Sequence, residues 1–206
     1  MDGQELYDLN TEIRGGRALD ETTFYVLANL AKAKFERSRA WRKLVKKNSD
    51  NSATSSTTNA TEFTLPTGFI KTLPRRTMKL VNSSGAWKDY TEVPFERWDE
   101  YKTQAGCFTI DHLNSKFYLG GTVDQTYTIN FYHSATTTAL ATAVTWIFPE
   151  EFHPYIAFEV AVMDELGMDY DEKNARQGNA NSDRAEMILR SAIKWDDALA
   201  RSSLGI

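Results

Sequence analysis

Gln125-Thr-Tyr-Thr-Ile-Asn-Phe-Tyr-His133 alternates its side chains. Tyr127, Ile129 and Phe131 fall on one face, and Thr126, Thr128, Asn130 and Tyr132 on the other. A period of two with one apolar face is the mark of a strand half buried against a core. The strand closes a polar, β-prone run from Thr61 to His133, and the segments on either side of that run have helical periodicity. The pattern predicts a β-module set into a helical framework, with the chain leaving the helices at about Asn48 and returning near Pro149.

At 206 residues and 41% hydrophobic content, the chain can bury roughly 70% of the surface it exposes unfolded. It has no run of ~18 apolar residues, and Met1-Asp-Gly-Gln-Glu-Leu has neither the basic nor the apolar part of a signal peptide. A protein made in a cytosol, without membrane contact, is therefore expected. The single Cys107 excludes an internal disulfide and a cysteine-based zinc site. A formal charge of −4 argues against a generally basic nucleic-acid binder, yet the charges are segregated. From residue 32 to 47, Lys32, Lys34, Arg37, Arg39, Arg42, Lys43, Lys46 and Lys47 stand against Glu36 alone. Beyond Pro149 come Glu150, Glu151, Glu159, Asp164, Glu165, Asp169, Asp171 and Glu172.

Leu6, Leu9 and Ile13 predict a short helix over 5–14, stopped by Gly15-Gly16. Asp20 is placed to cap a long second helix, in which Phe24, Leu27, Ala28, Ala31, Phe35 and Ser38 recur toward Trp41 and Val45. At ~100° per residue, Lys32, Arg39 and Lys43 line up on the side away from Leu27 and Leu30, with Lys47 nearby. These four are the candidate partner-contact residues, in a stripe that is either a solvated face or a docking face. Asn48 to Ala60 has no apolar side chain larger than alanine and reads as a flexible Ser/Thr-rich loop. Strand and turn signals then continue to His133, giving about six strands, enough for a small barrel or sandwich. Within them Pro94 opens a brief helix through Phe95, Trp98 and Tyr101.

Ser134 to Ala143 is rich in threonine and alanine and ambiguous. Phe148-Pro149-Glu150-Glu151 opens a helix with the face Tyr155, Ile156, Val160, Met163 and Leu166, ended by Gly167. Ser182 is placed to cap a final helix with the stripe Ala185, Ile188, Leu189, Ala192, Trp195 and Leu199. The expected class is α+β, a helical bundle of N- and C-terminal helices with an inserted small antiparallel β-barrel or sandwich. Its parts are N-terminal helices over 1–48, the loop over 49–60, the β-module over 61–133, and C-terminal helices over 134–206 that pack with the first.

His112, His133 and His153 have no partner at ligand spacing, and neither His-Glu-x-x-His nor Gly-x-Ser-x-Gly occurs. Cys107 and Asp111-His112 would lie ~13 Å apart along one strand, too far for a nucleophile and its base. Asp169-Tyr-Asp171-Glu172-Lys173 starts like a calcium loop, but Lys173 takes a ligand position and no later glutamate completes it. No phosphate-cradling or dinucleotide motif is present. The expectation is a non-enzyme with no catalytic residue, no metal and no cofactor. Trp87, Tyr90, Phe95, Trp98 and Tyr101 leave one alternative, a carbohydrate-binding β-module protein whose aromatics line a sugar-binding face.

The order of elements resembles the head-to-tail adaptor, or connector, proteins of tailed bacteriophages, including the tail tubular protein A type of short-tailed phages. The likeness covers nearly the whole chain. It rests on the Gly15-Gly16 break, the helix ending near Arg39-Ala-Trp41, the Phe63-Thr-Leu-Pro-Thr-Gly-Phe69 entry to the β-module and Tyr127-Thr-Ile-Asn-Phe-Tyr132. It also includes the Phe148-Pro149-Glu150 helix start ahead of a second, Trp-bearing helix. The resemblance implies a structural virion protein at the head-tail junction, assembled from host cytoplasm into a ring, usually of twelve copies. Its implied partners are the portal protein, tail or nozzle proteins, copies of itself, and double-stranded DNA that passes through the channel without sequence-specific binding. A basic and an acidic helix on one chain would suit a head-to-tail ring contact, with Lys32, Arg39, Lys43 and Lys47 expected against an acidic surface of the neighbour or portal.

Overall fold

The computed structural model describes residues 1–48, 52–53, 60–73, 78–123, 127–166 and 172–202. Its helices are α1 (Gly3–Ile13), α2 (Glu21–Ser38), α3 (Trp98–Tyr101), α4 (Pro154–Leu166) and α5 (Glu172–Ser202). The strands are β1 (Val45–Asn48), β2 (Ser52–Ala53), β3 (Ala60–Thr64), β4 (Phe69–Thr72), β5 (Met78–Val81), β6 (Trp87–Glu92), β7 (Cys107–Asp111), β8 (Lys116–Gly120) and β9 (Tyr127–Ala135). The chain forms two compact units, Met1–Leu44 with Thr136–Ile206, and Val45–Ala135.

In the helical unit, Asp2 accepts from Glu5 N while Glu5 accepts from Asp2 N, a capping box that starts α1. Arg14 ends the helix ahead of Gly15 and Gly16 at φ 67° and 85°. Asp20 caps α2 by accepting from Thr23 N. The second helix does not run on toward Val45. Arg39 is extended, and Trp41 folds back to stack on Phe35 at 4.6 Å. Its Nε1 donates to the Phe35 carbonyl, one of the last four carbonyls that have no partner inside the helix.

The centre of this unit is α4, which packs on α1, α2 and α5 and buries Tyr155, Ile156, Ala157, Val160 and Ala161. Apart from Glu159, Asp164 and Glu165 its residues are apolar, and a helix apolar on nearly all sides has to be interior. Asn10 Nδ2 donates to Ala157 O at 2.9 Å, and Arg14 pairs with Asp164, so α1 is fixed on α4 at two levels. The last helix starts at Glu172 rather than at Ser182. Gly178 therefore lies inside α5, a cost of about 1 kcal/mol against alanine, offset by packing that buries Asn181, Ala185, Ala192 and Asp196. Glu172 and Lys173 begin that helix and not a loop, while Gly167 and the rest of the calcium-like stretch, 169–171, lie outside the described residues.

The second unit is one sheet of nine strands among the described residues, in the order β1-β9-β5-β6-β7-β8-β3, with β2 and β4 also paired to β9. Tyr127, Ile129 and Phe131 are buried on β9, together with Met78, Leu80, Phe108, Phe117 and Leu119 from its neighbours. The entering strand β1 pairs with the leaving strand β9, Val45 opposite Ser134 and Asn48 opposite Phe131. Part of the expected loop is also paired, with Ser52 opposite Thr128 and Ala53 opposite Tyr127. Residues 49–51 and 54–59 of that loop lie outside the described residues, as do Arg76 and the first two residues of the quoted strand, 125–126.

The class is α+β, but the expected helical bundle with a small antiparallel barrel or sandwich is not what forms. The sheet is a curled, mixed half-barrel, because β6 and β7 run parallel with Thr91 opposite Cys107 and Glu92 opposite Phe108. Parallel neighbours need a crossover of about a dozen residues, usually helical. The helix predicted after Pro94 is that crossover, a 3-10 turn over Phe95–Arg97 followed by α3. A Cβ on Gly120 of β8 would come within 2.4 Å of Gln104 O and 2.5 Å of Cys107 Sγ, so glycine lets the crossover lie directly on the strand. The helical unit departs from a bundle because residues 136–149 run without helix or strand apart from turns.

Candidate interaction surfaces

Asn29, Lys32 and Glu36 lie along one side of α2, at the i, i+3 and i+7 spacing that stacks residues on a helix face, and they hold the irregular segment 136–149. Asn29 Nδ2 donates to Leu140 O at 3.1 Å, and its Oδ1 accepts from Leu140 N at 2.8 Å. Lys32 Nζ donates to Thr137 O at 3.1 Å and to Glu36 Oε2 at 3.3 Å. The Glu36 carboxylate also accepts from Thr137 N, Thr137 Oγ1 and Trp146 Nε1. Both charges are interior, with side-chain exposures of 5% for Lys32 and 0% for Glu36.

The expected basic stripe is thereby broken up. Lys32 is buried and serves the core. Arg39 is the C-cap of α2 and pairs with Asp196 at 3.2 Å and Asp197 at 2.9 Å. Lys43 sits in a 3-10 turn with Nζ 5.9 Å from the Trp195 ring centre. Lys47 is on β1, in the other unit, opposite Tyr132. With α2 ending at Ser38, Arg39, Lys43 and Lys47 are not on that helix at all. Sequence segregation of charge has an intramolecular use instead: Arg14 meets Asp164, Lys34 meets Glu159 at 2.6 Å, and Arg39 meets Asp196 and Asp197. Lys34 and Arg39 of the basic segment are thus matched by acids of α4 and α5 within a single subunit.

Among the described residues of the helical unit, an apolar side of α2 and an apolar groove on α5 stand uncovered. Residues 22–33 of α2 contain one charge, Lys32, and it is buried, so the outward side of more than three helical turns is uncharged. Val26 and Leu30 stand out on it at 57% and 55% exposure, and Arg37 follows on the same side. A separate groove of about 360 Å³ is lined by Glu151, Phe152, Met187, Ile188, Ser191 and Trp195. Its floor includes the Phe152 and Trp195 rings at 5.6 Å, and Met187 at 66% exposure forms its lip. The sequence reading missed both. The available signal was the absence of any charged position on α2 between Glu21 and Lys32.

In the sheet unit, Tyr90 is a core residue, whereas Trp87 is 60% exposed with Lys79 Nζ 4.9 Å from its ring centre. On one strand, positions three apart point to opposite faces, so the five aromatics do not form a single sugar-binding face. Cys107 Sγ donates to Tyr101 O and Gln104 O, and burial pushes its thiol pKa up. It is the first residue of β7 and Asp111 the last, an arrangement that keeps the thiol away from His112. Among the described residues, no three His, Cys, Asp or Glu side chains group so as to hold a metal. No helix there is long and apolar enough to cross a membrane.

Burial lowers the pKa of His133, which stacks on Phe69 at 5.5 Å and is also opposed by Lys46. Burial likewise lowers that of His153, whose ring nitrogens face Met1 O and Phe148 O. An unfolded chain takes up protons at these histidines near pH 6.5 while the folded chain resists. Stability is therefore complete above that pH and falls as pH drops through the lower folded values. Unfolding free energies from urea titrations are expected to decline between pH 7.5 and 5.5, by no more than about 1.4 kcal/mol per pH unit for each histidine. His133→Phe should flatten part of that decline.

No protein-family model and no curated protein sequence matches the chain.

Proposed function

We propose that this chain is a structural adaptor of a tailed-phage virion, whose copies form a ring joining portal to tail and leave a channel through which double-stranded DNA passes. The observation that carries the reading is the pair of separate apolar surfaces on the helical unit, the uncharged side of α2 and the α5 groove. Distinct faces on one subunit are what a head-to-tail ring contact requires. The inserted sheet unit supports it too. Because β1 and β9 are paired neighbours, the chain enters and leaves the sheet at one place, and the sheet can face a tail component without interrupting the helices. The intramolecular pairing of charge leaves apolar contact to hold the copies together.

The test is the mass of the purified protein in solution, alone and mixed with the portal protein encoded by the same genome, together with negative-stain images of the product. A closed ring of fixed copy number with an open centre, bound to the portal, is expected. A protein that binds no portal and forms no ring at about 100 μM, a concentration at which μM contacts are saturated, rejects the proposal.

A further inference from the structure

We infer that the uncharged side of α2 in one copy seats in the α5 groove of a second copy, head to tail. The inference names the contact by which the proposed ring would close, and so rests on that reading. On α2, Val26, Leu30, Ala33 and Arg37 follow one another at i, i+4, i+7 and i+11, which keeps them on one side of a helix. This gives an apolar ridge flanked by Lys34, which is paired with Glu159, and ending in the Arg37 guanidinium. On α5, Met187, Ser191 and Trp195 repeat at i, i+4 and i+8, and with Ile188 and Phe152 they line a largely apolar groove. An amphipathic ridge laid into an apolar groove is a standard mode of helix recognition. At the groove rim stands Glu151, exposed, and neither it nor Arg37 has an ion-pair partner among the described residues.

Charge decides the occupant. The uncharged side of α2 carries no acid that could take the Arg37 of a symmetry-related α2, so a two-fold contact of α2 on α2 would leave both arginines unpaired. The groove supplies the missing acid in Glu151. Each copy thus holds one complementary half of the contact on α2 and the other on α5, and such a heterologous contact propagates from copy to copy, giving a ring where its rotation closes.

The experiment uses the full chain alone, followed by sedimentation velocity. Leu30→Glu disables the ridge and Met187→Glu the groove. Both side chains are more than half exposed, and unchanged melting temperatures verify that each variant folds. Each variant alone is expected to lose association at least ~30-fold, the loss typical of a central contact residue. An equal mixture should form 1:1 dimers and nothing larger, because one intact ridge meets one intact groove and both remaining faces are dead. Arg37→Glu should weaken assembly and Glu151→Arg, added to it, should restore it. The inference is overturned if either variant assembles as the wild type does, if the mixture stays monomeric while the wild type assembles, or if the wild type is monomeric at about 1 mM. A portal-bound ring that survives Leu30→Glu refutes this contact and leaves the adaptor reading standing. Head-to-tail assembly without portal binding does the reverse.

Discussion

Replacing Glu36 by alanine is expected to destabilise the helical unit by about 3–5 kcal/mol, the usual result of stranding one member of a buried ion pair. Lys32 would keep Thr137 O as an acceptor but lose its counter-charge in an interior where its own side chain is 5% exposed. Thr137 N, Thr137 Oγ1 and Trp146 Nε1 would lose their acceptor at the same time, and the buried Trp146 donor left unpaired adds about 1–3 kcal/mol to what refolding around the site must offset. The pair Lys32→Met with Glu36→Gln should recover most of the loss, because it removes the stranded charge and keeps an amide oxygen for Thr137 and Trp146. Urea unfolding at pH 7.5, followed by tryptophan fluorescence, measures both. Trp41, Trp146 and Trp195 report on this unit. An alanine variant within about 0.5 kcal/mol of wild type, the range of ordinary surface changes, would show that the cluster is not what anchors segment 136–149.

Phe35→Ala should cost a similar amount, about 3–5 kcal/mol, for a different reason. Phe35 is fully buried and its ring meets those of Trp41 at 4.6 Å, Trp146 at 4.7 Å, Tyr155 at 5.0 Å and Phe148 at 5.1 Å. Those rings come from the C-terminal side of α2, from segment 136–149 and from α4, so the cavity would open where three parts of the chain converge. Phe95→Ala removes the same ring from a site 45% exposed and is expected to stay within about 0.5 kcal/mol of wild type. Since Trp146 also donates to Glu36, the Phe35 and Glu36 changes share a partner. Their double variant should depart from additivity by about 0.5–3 kcal/mol.

The features legible in the sequence are those that neighbouring residues settle among themselves. Asp20 caps α2 through Thr23, three residues on, and Gly15 and Gly16 stop α1 because only a residue without Cβ takes their positive φ at no cost. The alternation of Tyr127, Ile129 and Phe131 holds on β9 because the strand period is set by the backbone alone. The parallel pairing of β6 with β7 was out of reach: its crossover was visible after Pro94, but where the crossover delivers the chain depends on packing against β8 at Gly120.

Amino-acid order alone determined that this chain has helical ends, a β-rich middle and opposite charges on its two flanks, since composition, caps and periodicity act over a few residues. Only the tertiary structure decided what those charges do. Lys32 and Glu36 have the spacing of a solvated pair, and they became interior because Thr137 and Trp146, 101 and 110 residues beyond Glu36, close over them. The same packing matched Arg39 with Asp196 and Asp197 and left Val26, Leu30 and Met187 in solvent. Which face of a helix is free depends on what else in the chain has covered the others, and that covering is a long-range outcome no local pattern encodes.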